Sequence, residues 1–103
     1  MERIEKLKSF LQESPGDSFL KHALALEYIK AGNDEEAQQL LESLLQNNPA
    51  YVGSYYHLGQ LLERKKMDQQ ALQCYKTGME QAKKAGEQRT YNELKSACEE
   101  LEM

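Results

Sequence analysis

The fold is decided by residues 24–49, which read LALEYIKAGNDEEAQQLLESLLQNNP and whose pattern occurs a second time. Leu24-Ala25 corresponds to Leu58-Gly59, thirty-four positions later. Along the two stretches, small residues align with small ones and large residues with large ones. The same step backwards from the second half of the stretch gives a partial copy in residues 7–15. A period of this length predicts stacked helix–turn–helix units, none of which can bury its apolar face alone.

Both full units resemble the tetratricopeptide repeat, and the resemblance covers about residues 18–85. The family pattern has Leu-Gly and an aromatic residue in the first helix, Gly at the turn, Ala in the second helix and a closing Pro. The first unit matches this pattern with Leu24-Ala25, Tyr28, Gly32, Ala37, Leu41 and Pro49. The second unit matches it with Tyr55, Leu58-Gly59, Leu62, Ala71 and Tyr75.

The chain departs from the family pattern at a few positions. Lys21 stands where a bulky residue belongs, and we expect Leu20 or Phe19 to fill that space. In the second unit, Lys66 replaces the turn glycine and Lys83 replaces the closing proline. The resemblance implies a fold and says little about function, because function resides in particular sites on a fold.

Two glycines stand inside predicted helices. A glycine in mid-helix costs about 1 kcal/mol relative to alanine. We therefore expect a neighbouring helix to cross close to Gly59. Gly78 has the same explanation, or it simply weakens its helix.

The apolar spacing predicts an all-α protein of about six antiparallel helices. With the resemblance, this implies a helix–turn–helix solenoid like the tetratricopeptide superhelix, forming a single domain over residues 1–103. Its expected parts are an N-terminal half-repeat helix (1–14), repeat 1 (18–49), repeat 2 (52–85) and a C-terminal capping helix (87–102).

Composition excludes several classes of function. A net charge of −4 argues against generic binding to nucleic acid or to an anionic membrane, which requires a basic face. No apolar run reaches the roughly 18 residues of a membrane span. Met1 is followed by Glu2-Arg3 rather than by a secretory signal, so we expect a cytoplasmic protein. Cys74 and Cys98 do not make a disulfide framework and are expected to be reduced thiols near the core.

The resemblance also implies a site. In the family, the first helix of each unit lines a concave surface that binds an extended or helical peptide. The corresponding groove residues in this chain are His22, Leu26, Ile29, Lys30, Tyr56, His57, Gln60, Glu63 and Arg64. Tyr56 would be the aromatic anchor, and the His and Gln side chains would orient the ligand by hydrogen bonds. The alternative is an ordinary solvated wall, partly filled by the sixth helix.

Two more specific sites are expected to be absent. Chaperone-binding members of the family hold a C-terminal carboxylate with Lys and Asn, but His22, Leu26 and His57 occupy those positions here. The carboxylate clamp, and binding of a chaperone tail, are therefore not expected. His22 and His57 could face one groove, yet a metal ion needs a third ligand, for which only Glu27 or Glu63 is conceivable. We expect two surface imidazoles and no metal site.

The predicted function is a non-catalytic scaffold that binds a protein or peptide partner in the concave groove. No Ser/His/Asp order, glycine-rich phosphate loop or paired carboxylates suggest catalysis, so we expect no enzymatic activity and no cofactor. Neither nucleic acid nor membrane is an expected partner. The alternative is a self-associating structural module, a homodimer whose interface uses the apolar stripe from Ile4 to Leu11.

Overall fold

The computed structural model describes residues 2–103, and over that range it consists of six α-helices, which confirms the predicted all-α class. They span Glu2–Glu13 (α1), Ser18–Lys30 (α2), Asp34–Asn47 (α3), Gly53–Arg64 (α4), Asp68–Ala85 (α5) and Gln88–Glu102 (α6). The chain divides into two compact units, Met1–Asn48 (unit 1) and Pro49–Met103 (unit 2). The helices of predicted repeat 1 lie in unit 1 and those of repeat 2 lie in unit 2. That the parts form one domain stays a prediction.

Unit 1 is built around α2, which packs against both α1 and α3. Ile4 and Leu7 of α1 form a buried cluster with Leu24 of α2. The side chain of Leu20 packs against this cluster, whereas Phe19 is 65% exposed. Leu20, and not Phe19, therefore fills the space of the bulky residue that the repeat pattern has at the position of Lys21.

Polar side chains define the start of α2 and its pairing with α1. The Asp17 carboxylate accepts a hydrogen bond of 3.0 Å from the Leu20 amide, which satisfies one of the free N–H groups at the helix start. The Arg3 Nε donates to Glu27 Oε2 at 3.0 Å and links α1 to α2. Because the Glu27 side chain is only 13% exposed, this ion pair is less screened by solvent than a fully exposed one.

Unit 2 is built around α5, which packs against α4 and α6, while α4 and α6 also contact each other. Tyr75 of α5 and Leu94 of α6 are fully buried. The Tyr55 hydroxyl donates a 2.7 Å hydrogen bond to the Pro49 carbonyl, which holds the start of unit 2 against α4. The predicted capping helix α6 is thus a packed part of this unit.

Both mid-helix glycines mark close approaches of helices. A Cβ built at Gly59 would lie 2.6 Å from Cζ and 2.7 Å from Cδ1 of Tyr75, inside the van der Waals limit. A Cβ at Gly78 would lie 2.6 Å from Cβ of Tyr55. The crossing expected at Gly59 is therefore confirmed, and the close-packing explanation of Gly78 is the right one.

The turns after α2 and α4 have the same backbone geometry but different residues. Gly32 and Lys66 are equivalent positions and have φ angles of 82° and 62°. In both turns the amide of the following residue donates to a carbonyl five positions earlier, at 2.8 Å in the first and 2.9 Å in the second. This is the Schellman ending of a helix, which favours glycine because a side chain is strained at positive φ.

Replacement of Lys66 by glycine is expected to raise the free energy of unfolding by about 0.5–1 kcal/mol, because the left-handed strain is removed. Chemical denaturation measures the difference. Lys65→Gly is the matched control, since Lys65 has an ordinary φ of −87° and gains nothing from glycine. An equal or lower stability of Lys66→Gly relative to the wild type would contradict the strain argument.

Candidate functional site

An open cleft of about 720 Å³ lies between α4 and α6, entirely within unit 2. We call it the unit 2 cleft. From α4 it is lined by Tyr56 and His57, and from α6 by Arg89, Asn92, Glu93, Ser96, Ala97 and Glu100. The structure thus brings two of the nine predicted groove residues together in one concave surface.

Helical periodicity positions the two α4 residues. Tyr55 and Leu58 are buried on the face that packs inside the protein. Tyr56 and His57 lie between them in sequence and are only partly buried. Successive residues of a helix point about 100° apart, so the same packing that buries one pair directs the other pair toward the cleft.

The aromatic side chains at the cleft are packed against one another. The Tyr56 and His57 rings meet edge to face, with centroids 5.9 Å apart and planes at 85°. The Tyr56 ring also lies 6.5 Å from the ring of the buried Tyr75. A ring supported on two sides loses little conformational freedom when it binds a ligand, which favours a pre-organised contact.

The surroundings of His57 favour the neutral form of its imidazole. Burial lowers its pKa below the usual value, and the nearby Glu93 carboxylate offsets part of that effect. A neutral imidazole has one N–H donor and one acceptor nitrogen. The His57 ring therefore meets the cleft as an uncharged aromatic and polar surface.

The lowered pKa of His57 makes stability depend on pH in a defined direction. The unfolded chain binds this proton more readily than the folded one, so the contribution is present above the unfolded pKa of about 6.5 and is lost as pH falls below it. We expect the melting temperature of the wild type to fall more between pH 7.5 and 5.5 than that of His57→Gln. Parallel melting profiles for the two proteins would show that His57 is not desolvated.

Gln60 and Glu63 are engaged within unit 2. Gln60 Nε2 donates to the Tyr75 hydroxyl at 2.8 Å, and that hydroxyl donates to Glu63 Oε2 at 2.5 Å. Burial, followed by the hydrogen bond to Glu63, raises the Tyr75 pKa far above its ordinary value. Arg64, the last residue of α4, is exposed. A groove role for these three residues stays a prediction.

Loss of the Tyr75 hydroxyl is expected to be costly. Tyr75→Phe removes a buried donor to a carboxylate and leaves Gln60 without this acceptor, so the free energy of unfolding should fall by about 2 kcal/mol. Tyr91→Phe on α6 is the control, because the Tyr91 hydroxyl has no hydrogen bond to residues 2–103. Urea denaturation of both variants measures the difference, and equal stabilities would contradict the network.

The four groove residues predicted on α2 lie in unit 1. Their spacing places His22, Leu26, Ile29 and Lys30 on one side of the helix. The first three are partly buried, and Lys30 is exposed with its Nζ 3.7 Å from Glu27 Oε2. Their role as a ligand surface also stays a prediction.

The wall that α6 contributes was not among the predicted site residues. The sequence placed the sixth helix at the groove only in the alternative interpretation, in which it partly fills a solvated wall. The structure shows that Asn92, Ser96 and Glu100 line the cleft at intervals of one helical turn. The signal was present in their spacing, beside the buried positions Leu94 and Ala97. It could not be interpreted without knowing which side of α6 lies next to α4.

Neither Cys74 nor Cys98 forms a disulfide bond. Cys98 is buried, and this burial raises its pKa, so the unreactive thiol form is favoured. Cys74 is partly buried, and its Sγ lies 3.4 Å from the Tyr55 carbonyl oxygen as a weak donor. Both side chains therefore act as small packing residues in unit 2.

Residues 2–103 contain no group of three His, Cys, Asp or Glu side chains that could hold a metal ion. Within that range, no helix combines the length and the apolar character needed to cross a membrane.

Two helix–turn–helix pairs, α2–α3 and α4–α5, whose first helices end in turns of the same backbone geometry, define an all-α helical-repeat protein. Two solved structures from Salinibacter ruber, a crystal structure and a solution NMR structure, are both described as a tetratricopeptide repeat domain protein. The crystal structure is 41% identical, with a TM-score of 0.81 and a match over 84% of this chain and 96% of that chain. The NMR structure is 41% identical, with a TM-score of 0.82 and coverage of 85% and 89%. The chain belongs to the tetratricopeptide repeat family, as predicted.

A more distant structure has the same fold. The TPR2B domain of yeast Sti1, solved in complex with pHsp70, matches with a TM-score of 0.77 and 13% identity, over 91% of this chain and 81% of that chain. No protein-family model and no curated protein matches the sequence. The predicted helical-repeat solenoid is confirmed as the fold.

Proposed function

We propose that the protein is a non-catalytic interaction module that binds a segment of a protein partner, and that the unit 2 cleft is its anchoring site. The observation that carries the proposal is the cleft itself, with a supported aromatic ring and a neutral imidazole beside a polar helix wall. Binding sites commonly combine a concave surface with a few convergent polar groups. The Sti1 domain, which has this fold, is solved in complex with pHsp70, and this supports the class of function.

The cleft suggests how a segment would be held. Tyr56 offers a large apolar surface, and tyrosine is among the residues that dominate binding energy at interfaces. On the α6 wall, Asn92 and Ser96 can form hydrogen bonds with the backbone of an extended segment, and on the α4 wall the His57 ring adds contact surface beside Tyr56. His22, Leu26, Ile29 and Lys30 on α2 are proposed as the corresponding ligand surface of unit 1. Like the cytoplasmic location, this assignment is a prediction.

The test is affinity capture from the lysate of the source organism with wild type and Tyr56→Ala/His57→Ala as baits. A partner retained by the wild type and lost by the double variant is the expected result. Lys83→Ala/Lys84→Ala is the matched control, because these exposed lysines end α5 outside the cleft lining. All three baits must first show cooperative melting and similar helical circular dichroism. A partner kept by the cleft variant would exclude the cleft as its binding site.

Self-association remains the second candidate, and one observation favours it. Phe10 on α1 is 53% exposed, an unusual position for a large aromatic side chain. Most of the stripe proposed for the interface is nevertheless covered, since Ile4 and Leu7 are buried and Leu11 packs against them. Sedimentation equilibrium at several concentrations, with Phe10→Ser as the variant, decides the question: a dimer that the variant loses would establish the homodimer.

A further inference from the structure

Unit 1 has an apolar cleft of its own, which shares no residue with the unit 2 cleft. It has a volume of about 450 Å³, and its apolar lining includes Leu11 of α1, Leu24 of α2 and Leu40 of α3. We call it the leucine cleft. Leu11 and Leu40 are only partly buried, so apolar surface remains open to a ligand.

Two lysines edge this cleft. Lys8 of α1 and Lys21 of α2 belong to its lining, which includes no acidic side chain. Neither lysine has a carboxylate within ion-pair distance among residues 2–103. Lys8 instead places its ammonium group 5.9 Å from the centre of the Tyr28 ring. A chain with a net charge of −4 thus presents two uncompensated positive charges beside an apolar surface.

The α3 side of the leucine cleft differs in carrying an acidic side chain. A second opening of about 290 Å³ shares Leu24 and Leu40 with the leucine cleft and adds Tyr28 from α2 and Glu36 from α3. The combined groove follows α2 from Lys21 to Tyr28, about 10 Å at 1.5 Å per residue, which accommodates two turns of a helix. Lys8 of α1 and Lys21 of α2 therefore edge one part of this groove, and Glu36 lies on its α3 side.

We propose that the leucine cleft docks an amphipathic helix of a partner protein whose apolar face is bordered by acidic residues on the side that meets Lys8 and Lys21. Apolar side chains at intervals of three and four residues would cover Leu11, Leu24 and Leu40, as in other helix-in-groove complexes. The acidic border would pair with the lysines and set the direction of the docked helix, because charge complementarity selects orientation.

The exposed apolar residues of this chain argue for a partner protein rather than a second copy as the occupant. The exposed aromatic residues that a second copy could insert are Phe10 and Phe19. Phe10 and Phe19 lie on different helices, and neither has a second exposed large apolar residue three or four positions away among residues 2–103. Over that range, a second copy therefore offers no exposed apolar helix face that would cover Leu11, Leu24 and Leu40 together.

The test uses three synthetic peptides of about 15 residues, long enough for partial helicity in water. All three have the same leucine face on an alanine background, and the border positions carry Glu, Gln or Lys. Each is titrated into the isotope-labelled full chain at low salt, and amide chemical shifts are followed by NMR. We expect the Glu peptide to shift the amides of Leu11, Leu24 and Leu40 and to bind about tenfold more tightly than the Lys peptide.

Charge reversal provides the matched comparison. In Lys8→Glu/Lys21→Glu the order of affinities should invert, so that the Lys peptide binds most tightly. Lys83→Glu/Lys84→Glu changes the net charge by the same amount in unit 2 and should preserve the original order. An order unchanged by the Lys8/Lys21 variant overturns the proposal, as does the absence of shifts at the cleft with any peptide at about 1 mM. Cleft amides that shift on concentrating the protein alone would make a second copy the occupant and also overturn it.

Discussion

Gly59→Leu is expected to lower the free energy of unfolding by about 3 kcal/mol, at the upper end of the usual cost of overpacking. The added side chain begins where the Tyr75 ring already lies, since a Cβ would be 2.6 Å from the ring Cζ. Tyr75 cannot move aside easily, because it is fully buried and its hydroxyl is held by Gln60 and Glu63. Equilibrium denaturation in urea measures the loss.

Gly53→Leu is the matched control for this prediction. Gly53 is the first residue of the same helix, and a Cβ built there meets nothing within 4 Å. The control replaces the same residue type in α4 and should be neutral or slightly stabilising, because glycine is a poor helix former. If the two variants have the same stability, the close crossing of α4 and α5 is not a determinant of the fold.

Leu94→Ala is expected to destabilise the protein by about 3 kcal/mol through loss of apolar contact and creation of a cavity. The Leu94 side chain is completely buried, with an exposed fraction of 0%. Its Cδ1 lies 3.0 Å from the position that a Cβ would occupy on Gly78. Alongside Ala97 and Cys98 it attaches α6 to the rest of unit 2. Thermal and urea denaturation should show the loss clearly.

The consequence of Leu94→Ala extends to the cleft, because α6 forms one of its walls. We expect amide hydrogen exchange of α6 to accelerate more than that of α4. Leu101→Ala, at a partly buried position near the end of the same helix, should have a smaller effect. Equal losses of stability in the two variants would mean that α6 is not held mainly through Leu94.

The sequence predicted the fold from features that depend on local chemistry. Apolar spacing gave six helices, and the cost of a mid-helix glycine indicated the crossing at Gly59, where the structure places Tyr75. Lys66 departs from the pattern of the repeat, yet its backbone has the positive φ of the glycine that it replaces. The repeat geometry therefore overrides the preference of one residue at a moderate cost in strain.

The site was predicted less completely, because it depends on contacts between elements distant in sequence. Tyr56 and His57 were predicted and line a cleft, but its other wall comes from α6, which the sequence placed at the groove only in the alternative interpretation and without naming residues. Gln60 and Glu63 have the spacing expected of ligand-binding residues, yet they bind the Tyr75 hydroxyl fifteen and twelve positions away. Periodicity identifies the face of a helix and leaves open what that face meets.

The two proposed binding surfaces differ in their chemistry. The unit 2 cleft has an aromatic anchor and polar walls, which suits an extended segment with free backbone groups. The leucine cleft has an apolar lining and two lysines, which suits the face of an acidic amphipathic helix. A protein with both would bring two partner segments together, or would bind one partner at two places with increased avidity.

Site-specific photo-crosslinking at the unit 2 cleft is the most direct test of the proposed function. A photoreactive phenylalanine analogue is placed at Ser96, which lines the cleft, or at the adjacent Lys95, which is exposed and does not line it. Both proteins are irradiated in lysate of the source organism, and the crosslinked products are identified by mass spectrometry. We expect a discrete partner to be crosslinked from position 96 and to be absent from position 95. A partner crosslinked equally from both positions, or from position 95 alone, would contradict the assignment of the cleft as the binding site.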